Sequence, residues 1–568
     1  MVVREHTITT DVLVVGAGFA GCFAAIRARE LGAEVLIAEY GKAGFAGASA
    51  IGAHITRVVL PDDDHDAALK STVLDSDYMV DQEYAEGVIA ESYDIFNQCL
   101  KLGSDFARDI NTGEIIWVIT NTPNPFYQQR FALWMPWNSY KHVTNAKNGA
   151  LHLGAKVLDR IVVTDLLTSD GKVVGAIGIN NRDGDFYTFK AKAVILATGT
   201  AGVPSGLSAA NHASYTGDGT GMALRAGAEL RGMEFGKVGT GVEKKYFDER
   251  ARQYGSADLA AFSLQGWGDS SNPAKIVNAR GEEFLEQYEL TYRRPDRFYQ
   301  GPPWKRLIPA IWKELREGRG PVYQQMPRTR QTFSGEIGIG GYFLTQAGGI
   351  RINPYGVCSI PGLFAGGIAS DMCCAPNYTI PANILGSQAT GRRAGESAAR
   401  YAEEQSEPTV DEGEIKRLKA EVYAPLGRNK GITEAEVRIK ILEAHPYLDL
   451  RNEENLNKAY EEFRQIEQDA ASLKADDYHE LTKCHKIRNL IQDLQATALA
   501  ARERRETRQE HFRHDYPFID NKNWLKWVIV RGTGDRMETY LEDIPIDKWK
   551  YQPDPELVDP LQSRKEVR

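Results

Sequence analysis

The chain has 568 residues, of which 42% are hydrophobic and 26% charged, and this length predicts roughly two to four packed domains. Its formal net charge of -9 argues against a nucleic-acid-binding protein, because such a protein needs a basic face to neutralise phosphates. Residues Met1 to His6 lead directly into a predicted strand with no room for a signal peptide, and no apolar stretch is long enough to span a membrane. We therefore expect a globular, cytoplasmic protein.

A dinucleotide-binding fingerprint stands near the start of the chain. The apolar run Asp11 to Val15 predicts a buried parallel strand, and Gly16-Ala-Gly18-Phe-Ala-Gly21 follows it directly. Residues Cys22 to Leu31 have helical spacing, and Glu34 to Ala38 predict a second strand that ends at Glu39. This order of strand, glycines, helix, strand and acid predicts a complete βαβ unit.

Each part of the unit has a physical role in binding a dinucleotide. Gly16 and Gly18 let the main chain turn tightly against a pyrophosphate, and Gly21 lets the helix pack closely on the strand. The start of the helix then faces the phosphates with unpaired N–H groups. Glu39 is placed to accept hydrogen bonds from a ribose hydroxyl, which disfavours a 2′-phosphate.

Two later segments indicate FAD rather than NAD. Val194-Ile-Leu-Ala-Thr-Gly199 resembles the strand and turn with which FAD-binding folds of the glutathione-reductase type return to the cofactor. Gly362-Leu-Phe-Ala-Gly-Gly367 resembles the late strand and turn that pass the ribityl chain, and no second fingerprint opens a nicotinamide domain. The predicted fold class is therefore α/β, with an FAD-binding Rossmann-like domain.

Six cysteines are scattered along the chain, and none forms a Cys-x-x-Cys pair or another metal-binding spacing. We therefore expect no metal site and no iron-sulfur cluster in the chain. The adjacent pair Cys373 and Cys374 is interpreted as small buried apolar residues rather than as a redox pair.

Several motifs have the spacing of a known flavoprotein family. They are Thr216-Gly-Asp-Gly219, Gly221 to Leu230, Met233-Glu-Phe235, Ala501 to His511, Arg513-His-Asp-Tyr-Pro517 and Asn523-Trp-Leu-Lys526. With them the chain resembles the fumarate reductase and succinate dehydrogenase flavoproteins, a family that includes aspartate oxidase, adenylylsulfate reductase and the ketosteroid dehydrogenases. Glu317-Gly-Arg-Gly-Pro321 fits the adenylylsulfate reductase branch, and ketosteroid dehydrogenases lack the C-terminal motifs.

The resemblance implies a division into domains. The first part of the FAD-binding domain is expected at 1–240 with an insertion at 60–145, an α+β capping domain at 241–344, the last part of the FAD-binding domain at 345–405, and a helical C-terminal domain at 406–568. Glu412 to Glu510 have helical character, and Leu418, Val422 and Ile439 are expected to pack between helices. The charge run Arg502 to Arg508 is expected to form solvated faces or interhelical pairs.

The same resemblance assigns FAD contacts to individual residues. The expected cofactor-binding residues are Gly16, Gly18, Ala20, Gly21, Glu39, Tyr40, Ala48, Ser49, Ala197, Thr198, Gly199, Asp218, Gly366, Asn383 and Ile384. Asn383 aligns with the family's serine at the pyrimidine edge of the flavin. Gly367 replaces the usual ribityl-binding acid, and Asp371 is expected to take its place. Ala46 to Gly52 stands where the family's covalently linked histidine segment would be, so FAD is expected to bind non-covalently.

The chain departs from the family pattern where dicarboxylates bind. Members that act on fumarate or succinate hold the two carboxylates with a histidine and two arginines, which suit charge-assisted pairing. Here Leu344 stands at the histidine position, Trp267 to Pro273 contains no arginine, and Tyr378 stands where the last arginine would be. The sequence therefore predicts a neutral or aromatic organic substrate rather than a small dicarboxylate.

The resulting hypothesis is hydride exchange between flavin N5 and a carbon atom of the substrate. Tyr378 or Thr345 would handle the proton, and a separate ferredoxin-like iron-sulfur subunit would exchange electrons with the flavin, with dioxygen or a quinone as other acceptors. Three alternatives stay open: an adenylylsulfate reductase flavoprotein subunit, a ring-ketone dehydrogenase of the ketosteroid type, and an electron-relay subunit without a substrate of its own.

Overall fold

The computed structural model describes most of the chain. The described residues are 3–51, 55–119, 127, 130–135, 139–203, 216–240, 275–284, 314, 317–320, 322–325, 336–339, 342–346, 348–374, 380–449, 451–509 and 511–556. Tyr378 and the segment Trp267 to Pro273 lie outside them.

The described helices are concentrated at the two ends of the chain. They are α1 (Phe19–Glu30), α2 (Ala48–Ile51), α3 (His65–Asp75), α4 (Gln82–Lys101), α5 (Ser139–His152), α6 (Asp218–Arg225), α7 (Asn383–Glu403), α8 (Glu412–Tyr423), α9 (Glu434–Asp449), α10 (Glu453–Ala470), α11 (Tyr478–Glu503) and α12 (Asn521–Trp524). Among them, none combines the length and the apolar composition that crossing a bilayer requires.

The strands that the structure describes are distributed over five sheets. They are β1 (Glu5–Val15), β2 (Val35–Glu39), β3 (Ile55–Val58), β4 (Asp105–Phe106), β5 (Trp117–Ile119), β6 (Arg130–Met135), β7 (Lys156–Asp159), β8 (Ile161–Ser169), β9 (Lys172–Asn180), β10 (Phe186–Leu196), β11 (Gly202–Val203), β12 (Leu230–Arg231), β13 (Gly236–Thr240), β14 (Lys275–Val277), β15 (Val322–Gln325), β16 (Glu336–Ile339), β17 (Tyr342–Gln346), β18 (Gly349–Ile350), β19 (Leu363–Ala365), β20 (Lys526–Arg531) and β21 (Glu538–Asp543).

The largest sheet has seven strands in the order β7-β2-β1-β10-β9-β8, and β19 pairs with β10. Strand β1 is parallel to both β2 and β10, and β10 is parallel to β19. The predicted βαβ unit is present as β1, α1 and β2, and Val12, Leu13 and Val14 of β1 are fully buried. Because the ends of parallel strands meet at one edge of a sheet, the loops after β1, β10 and β19 come together.

Helices α1 and α7 cross at very short range on this sheet. A β-carbon built at Gly391 would lie 2.2 Å from the main-chain oxygen of Ala20, and one at Gly395 would lie 2.2 Å from that of Ala24. Side chains larger than hydrogen would therefore separate the two helices. The glycines of α7 fix α1, and with it the first fingerprint loop, against the rest of the domain.

A small antiparallel sheet, β14-β15-β16, lies in the predicted capping region. The turn after β14 is organised by Asn278, whose Oδ1 accepts hydrogen bonds from the main-chain N of Arg280 and Glu282 at 3.0 and 3.1 Å. Its Nδ2 donates to Glu314 at 3.0 Å, and Glu314 in turn accepts two hydrogen bonds from Arg319 at 2.6 and 2.7 Å. Asn278 and Arg319 therefore both donate to the carboxylate of Glu314.

The C-terminal region contains the expected packed helices, but it differs from the sequence-based expectation in two details. Leu418 and Val422 are buried, whereas Ile439 is 56% exposed, because α9 packs through Val437, Ile441 and other residues of its opposite face. The region is also not wholly helical. Strands β20 and β21 form an antiparallel pair, and β20 pairs with β12, so the C-terminal region shares a four-stranded sheet with the segment before Glu234.

Candidate functional site

The loop between β1 and α1 is shaped by its glycines. Gly16 has a φ of +104°, and a β-carbon built there would lie 2.4 Å from the main-chain oxygen of Ala197. A β-carbon at Gly21 would lie 1.9 Å from the main-chain oxygen of Gly16. The first glycine therefore lets the neighbouring loop approach, and the third lets α1 start against the end of β1, as the fingerprint predicts.

The loops after β10 and β19 meet this first loop. The main-chain N of Ala197 donates to the main-chain oxygen of Val15 at 2.9 Å, and that of Gly366 donates to Leu196 at 3.1 Å. The predicted cofactor residues Ala197, Thr198, Gly199 and Gly366 thus lie beside Gly16 at one edge of the sheet. Gly199 has a φ of +81°, a conformation that favours glycine at this turn.

The hydroxyl of Thr198 is a buried polar group that has no hydrogen-bond partner among the described residues. A β-carbon at Gly219, in the first turn of α6, would lie 2.4 Å from this oxygen, so Thr198 faces the helix that Asp218 begins. Buried hydroxyls without a partner are rare because they lose their hydration without compensation. Thr198 therefore has the properties of a group that binds a ligand.

Glu39 ends β2 and is 8% exposed. Its carboxylate accepts hydrogen bonds from the main-chain N of Ala17 at 2.7 Å and of Gly41 at 2.8 Å. Burial raises the pKa of Glu39, while these N–H groups oppose that shift. The acid at the ribose position is therefore held rigidly next to the phosphate loop, because Ala17 belongs to that loop.

Ser49 supplies the start of α1 with an oxygen acceptor. Gly18 is the N-cap residue and has no side chain, and the Ser49 Oγ accepts a hydrogen bond from the main-chain N of Phe19 at 3.1 Å. Ala48 and Ser49 belong to the short helix α2. The predicted contacts Ala48 and Ser49 therefore lie at the positive end of α1, where an anion is favoured.

Helix α7 lies next to the loop after β19, at the same edge of the sheet. The main-chain N of Gly367 donates to Thr390 Oγ1 at 2.8 Å, and a β-carbon at Gly367 would lie 2.8 Å from the Cβ of Ala20. The predicted residues Asn383 and Ile384 occupy the first turn of α7. Tyr84 fixes the segment before this turn by donating from its hydroxyl to the main-chain oxygen of Pro381 at 2.8 Å.

These observations fit a dinucleotide cofactor bound across the edge of the sheet. The glycines leave a cradle that side chains would fill, α1 begins beside it, and the buried Thr198 hydroxyl has no partner in the described part of the chain. Gly16, Gly18 and the start of α1 would hold the pyrophosphate, Glu39 the ribose, and the start of α7 the flavin ring. Gly16, Ala197, Gly366, Glu39 and Ser49 thus lie around one edge of the sheet, and the contacts of the assigned residues with FAD stay a prediction.

Of the two residues predicted to handle protons, the structure describes Thr345. Thr345 lies in β17, where its main chain pairs with Lys237 of β13 and Gly202 of β11. Leu344 is next to it in the same strand and pairs with Val238. The structure thus brings the segment that holds histidine in the dicarboxylate enzymes into a three-stranded sheet, while Tyr378 lies outside the described residues.

Asp371 does not replace the missing ribityl-binding acid. It is fully buried and forms an ion pair with Arg231, and it also accepts a hydrogen bond from the main-chain N of Cys373 at 3.0 Å. Arg231 is 4% exposed, and its guanidinium lies 4.5 Å from the centroid of a Trp527 ring. The expectation for Asp371 was wrong because a buried carboxylate is held by the cation that the distant strand β12 supplies.

Cys373 and Cys374 follow closely after Asp371, the acidic member of this ion pair. Cys373 and Cys374 are buried, and burial raises the pKa of both thiols, which favours the unreactive protonated form. Both residues have positive φ angles, 48° and 60°. Asp371, Cys373 and Cys374 therefore form a constrained turn immediately before the segment that contains Tyr378.

A second group of buried charges corrects the expectation for Arg502 to Arg508. We call Glu234, Arg504, Glu506 and Arg508 the buried ion network, since each is at most 1% exposed. Arg504 donates to Glu234 at 2.8 Å and to Glu506 at 2.8 Å, and Arg508 donates to Glu506 at 2.7 Å. Much of the charge run thus lies in the interior, because its partners include a residue from a distant part of the chain.

The long helix α11 joins the C-terminal region to the cofactor site through α6. Asn489 donates to Asp218 at 2.9 Å, and Asp493 accepts a hydrogen bond from Thr220 at 2.8 Å. Arg225, at the end of α6, donates to Asn489 at 2.9 Å and to Gln492 at 2.7 Å. Sequence reasoning missed these contacts, because the polar residues of α11 look like a solvent-facing side until their partners are known.

Asp493 is expected to make the stability of the protein depend on pH. Burial raises its pKa to about 7, so between about pH 4 and this value the folded state holds a proton that the unfolded chain releases. Stability should therefore fall as the pH rises through this window. Asp493→Asn keeps an acceptor for Thr220 and should be more stable than the wild type at pH 8 by up to about 4 kcal/mol, but equally stable near pH 4.

Thermal denaturation at a series of pH values measures this effect. Asp476→Asn is the control, because Asp476 is exposed and lies just before the same helix. Parallel stability curves for Asp493→Asn and the wild type would contradict the prediction.

Models of known protein families match most of the chain. Residues 11–323 match the family model described as the FAD binding domain, and residues 447–557 match the model described as the fumarate reductase flavoprotein C-terminal region. The first match contains the loops after β1 and β10 together with Glu39 and Asp218. The second contains α10, α11 and part of the buried ion network.

The similarity extends to individual proteins. The chain is 25% identical over 563 residues to one subunit of the CoM/CoB fumarate reductase of Methanothermobacter marburgensis, with 92% of this chain and 96% of that protein covered. Among solved structures, Mycobacterium smegmatis Sdh1 in complex with UQ1 has a TM-score of 0.79 at 23% identity, with 100% and 98% of the two chains covered. Adenylylsulfate reductase from Archaeoglobus fulgidus has a TM-score of 0.74 at 20% identity, with 97% and 98% covered.

The two structures share the fold with this chain, so the predicted combination of FAD-binding, capping and C-terminal helical domains is confirmed. The family match also confirms FAD as the cofactor and an oxidoreductase as the class of enzyme. The chain belongs to the fumarate reductase and succinate dehydrogenase superfamily of FAD-dependent flavoproteins.

Proposed function

We propose that this flavoprotein transfers a hydride between flavin N5 and a carbon atom of a neutral or aromatic organic substrate. The proposal depends chiefly on the absence of histidine from Leu344 to Gly349, the segment that holds a carboxylate of the substrate in the dicarboxylate enzymes. A leucine cannot balance the charge of a carboxylate, and a doubly charged substrate needs cations at both ends.

Two buried arginines that the structure describes near this region do not compensate for this loss. Arg231 is bound to Asp371, Arg504 is bound to Glu234 and Glu506, and both guanidinium groups are buried. Their charges are therefore already balanced by carboxylates of the protein. A neutral substrate avoids the cost of bringing two unpaired carboxylates into this region.

The proton that accompanies the hydride is assigned to Tyr378 or Thr345. Tyr378 follows the constrained turn of Cys373 and Cys374 by four residues, and Thr345 lies in a strand whose main chain is paired on both sides. Bound FAD would supply the hydride chemistry, and the hydroxyl would give a proton to, or take one from, the neighbouring atom of the substrate. The FAD itself is proposed to bind non-covalently.

We further propose that electrons pass between the flavin and a separate ferredoxin-like iron-sulfur subunit. The relative from Methanothermobacter marburgensis is named as one subunit of a fumarate reductase, which supports a partner for this chain too. The sequence contains no Cys-x-x-Cys pair that would hold a cluster within the chain. An electron supply from outside the chain is therefore needed to complete the reaction.

Anaerobic reoxidation of the reduced flavoprotein tests the proposal. A panel of neutral unsaturated compounds, with fumarate as the charged comparison, is added to the reduced protein, and the return of the oxidised flavin spectrum is followed. Tyr378→Phe should slow reoxidation by the active compound by about 100-fold or more and leave the FAD spectrum unchanged. Tyr355→Phe is the control, because Tyr355 is 56% exposed.

Two outcomes would contradict the proposal. Rapid reoxidation by fumarate alone would indicate a dicarboxylate enzyme. Reoxidation by an oxidised ferredoxin and by none of the organic compounds would indicate an electron-relay subunit.

A further inference from the structure

Lys486 of α11 brings a positive charge from the C-terminal region to the cofactor site. The residue is only 5% exposed, and its Nζ lies 3.2 Å from the centroid of the Tyr40 ring. Tyr40 directly follows Glu39, the acid at the ribose position, and its main-chain oxygen accepts a hydrogen bond from Asn181 at 2.9 Å. A buried ammonium group on the face of an aromatic ring is a favourable contact, and the N–H groups that point away from the ring are available for oxygen atoms.

The charge balance of the site favours a cation at this position. The phosphate loop offers main-chain N–H groups, and Glu39 and Asp159 place negative charge close to it. Lys42 pairs with Asp159, whereas the charge of Lys486 acts on Glu39. A dinucleotide adds the negative charges of its pyrophosphate, and a nearby cation offsets the repulsion between these charges and Glu39.

Helix α11 holds Lys486 firmly in this place. Asn489, about one turn further along, is bonded to Asp218, and Asp493 is bonded to Thr220. The three residues at 486, 489 and 493 recur at helical spacing, and all of them face the FAD-binding domain. The position of the main chain at Lys486 is therefore set by contacts along the helix, and the side chain is held by its burial against the Tyr40 ring.

We propose that Lys486 is a binding residue for the adenosine diphosphate half of FAD, contributed by the C-terminal region. Its ammonium group contacts the ribose or pyrophosphate oxygens while it stays on the face of the Tyr40 ring. FAD binding and the docking of α11 on the FAD-binding domain consequently stabilise each other.

Binding of FAD and of ADP to the full-length apoprotein tests this proposal. FAD binding is followed by quenching of flavin fluorescence, and ADP, which lacks the flavin, is measured as a competitor. Lys486→Met should raise the Kd of both ligands by the same factor, about tenfold. Lys486→Arg, which keeps the charge and can stack on Tyr40, should stay within about threefold of the wild type.

Two controls separate binding from folding. Lys483→Met changes an exposed lysine of the same helix and should leave both Kd values unchanged. The thermal unfolding midpoint of each apoprotein shows whether a variant is folded. Unchanged Kd values with a lowered midpoint would assign Lys486 a purely structural role and overturn the proposal, as would a loss of FAD affinity without the same loss for ADP.

Discussion

Replacing Gly21 by alanine is expected to abolish FAD binding. A β-carbon at this position would lie 1.9 Å from the main-chain oxygen of Gly16 and 3.2 Å from Cγ1 of Val14. Val14 belongs to β1, and Gly16 belongs to the loop that follows it. Helix α1 must therefore move away from the strand, and its first amides then leave the positions that a pyrophosphate requires. Overpacking of this severity costs about 3 kcal/mol, equivalent to an affinity lower by about 100-fold.

The flavin content of the purified variant and its FAD Kd measure this effect. Gly427→Ala is the matched control, because a β-carbon at Gly427 would have no described atom within 4 Å beyond its chain neighbours, and the residue lies far along the chain, between α8 and α9. We expect normal flavin content for Gly427→Ala and almost none for Gly21→Ala. Full flavin content in Gly21→Ala would mean that α1 can shift without disturbing the cofactor site.

The βαβ unit of the FAD-binding domain could be predicted from the sequence because it depends on local patterns. The strand before Gly16, the helix after it and the acid at Glu39 are separated by short, fixed distances along the chain, and glycine is required by close main-chain contacts. The turn at Ala197 to Gly199 was predicted by the same kind of pattern. Local patterns fail, however, to say which distant segments pack against them.

The extent of β1 illustrates this limit. The apolar run predicts a strand from Asp11, yet β1 begins at Glu5, because its first residues pair with β10 from Phe186 onward. The close crossing of α1 and α7 was missed for the same reason. Gly391 and Gly395 stand four residues apart in a predicted helix, a spacing that indicates close helix packing, but the sequence does not show that Ala20 and Ala24 are the partners.

Buried charges were the hardest feature to predict. A run such as Arg502 to Arg508 normally faces solvent, and Arg505 does so here, whereas its neighbours Arg504 and Glu506 are fully buried. Their burial is possible only because Glu234, about 270 residues earlier, lies opposite them. A pairing over such a distance leaves no periodic signal in the sequence.

Removing the central cation of the buried ion network should destabilise the protein strongly. Arg504 donates to both Glu234 and Glu506, and it also donates to the main-chain oxygens of Trp524 and Lys526 at 3.0 and 2.6 Å. In Arg504→Met the two carboxylates stay buried with less compensation, which costs about 3–5 kcal/mol. The midpoint of urea denaturation at saturating FAD measures this loss.

The matched control is Arg505→Met, which removes an exposed arginine next in sequence and should change stability by less than about 0.5 kcal/mol. A second variant separates charge from packing. In Glu234→Gln/Arg504→Met the unpaired carboxylate is removed too, so part of the lost stability, about 1 kcal/mol or more, should return.

The loss of Arg504 should also affect the strands near which the substrate is proposed to bind. Glu234 lies immediately before β13, and β13 pairs with β17, the strand that contains Thr345. Because Arg504 holds Glu234 to the C-terminal region, its loss should expose β13 to proteolysis at a lower urea concentration than the main sheet. If Arg504→Met instead unfolds at the same urea midpoint as Arg505→Met, the buried ion network does not stabilise this junction, and the contact between the C-terminal region and β13 must depend on apolar packing around Phe235 and Trp527.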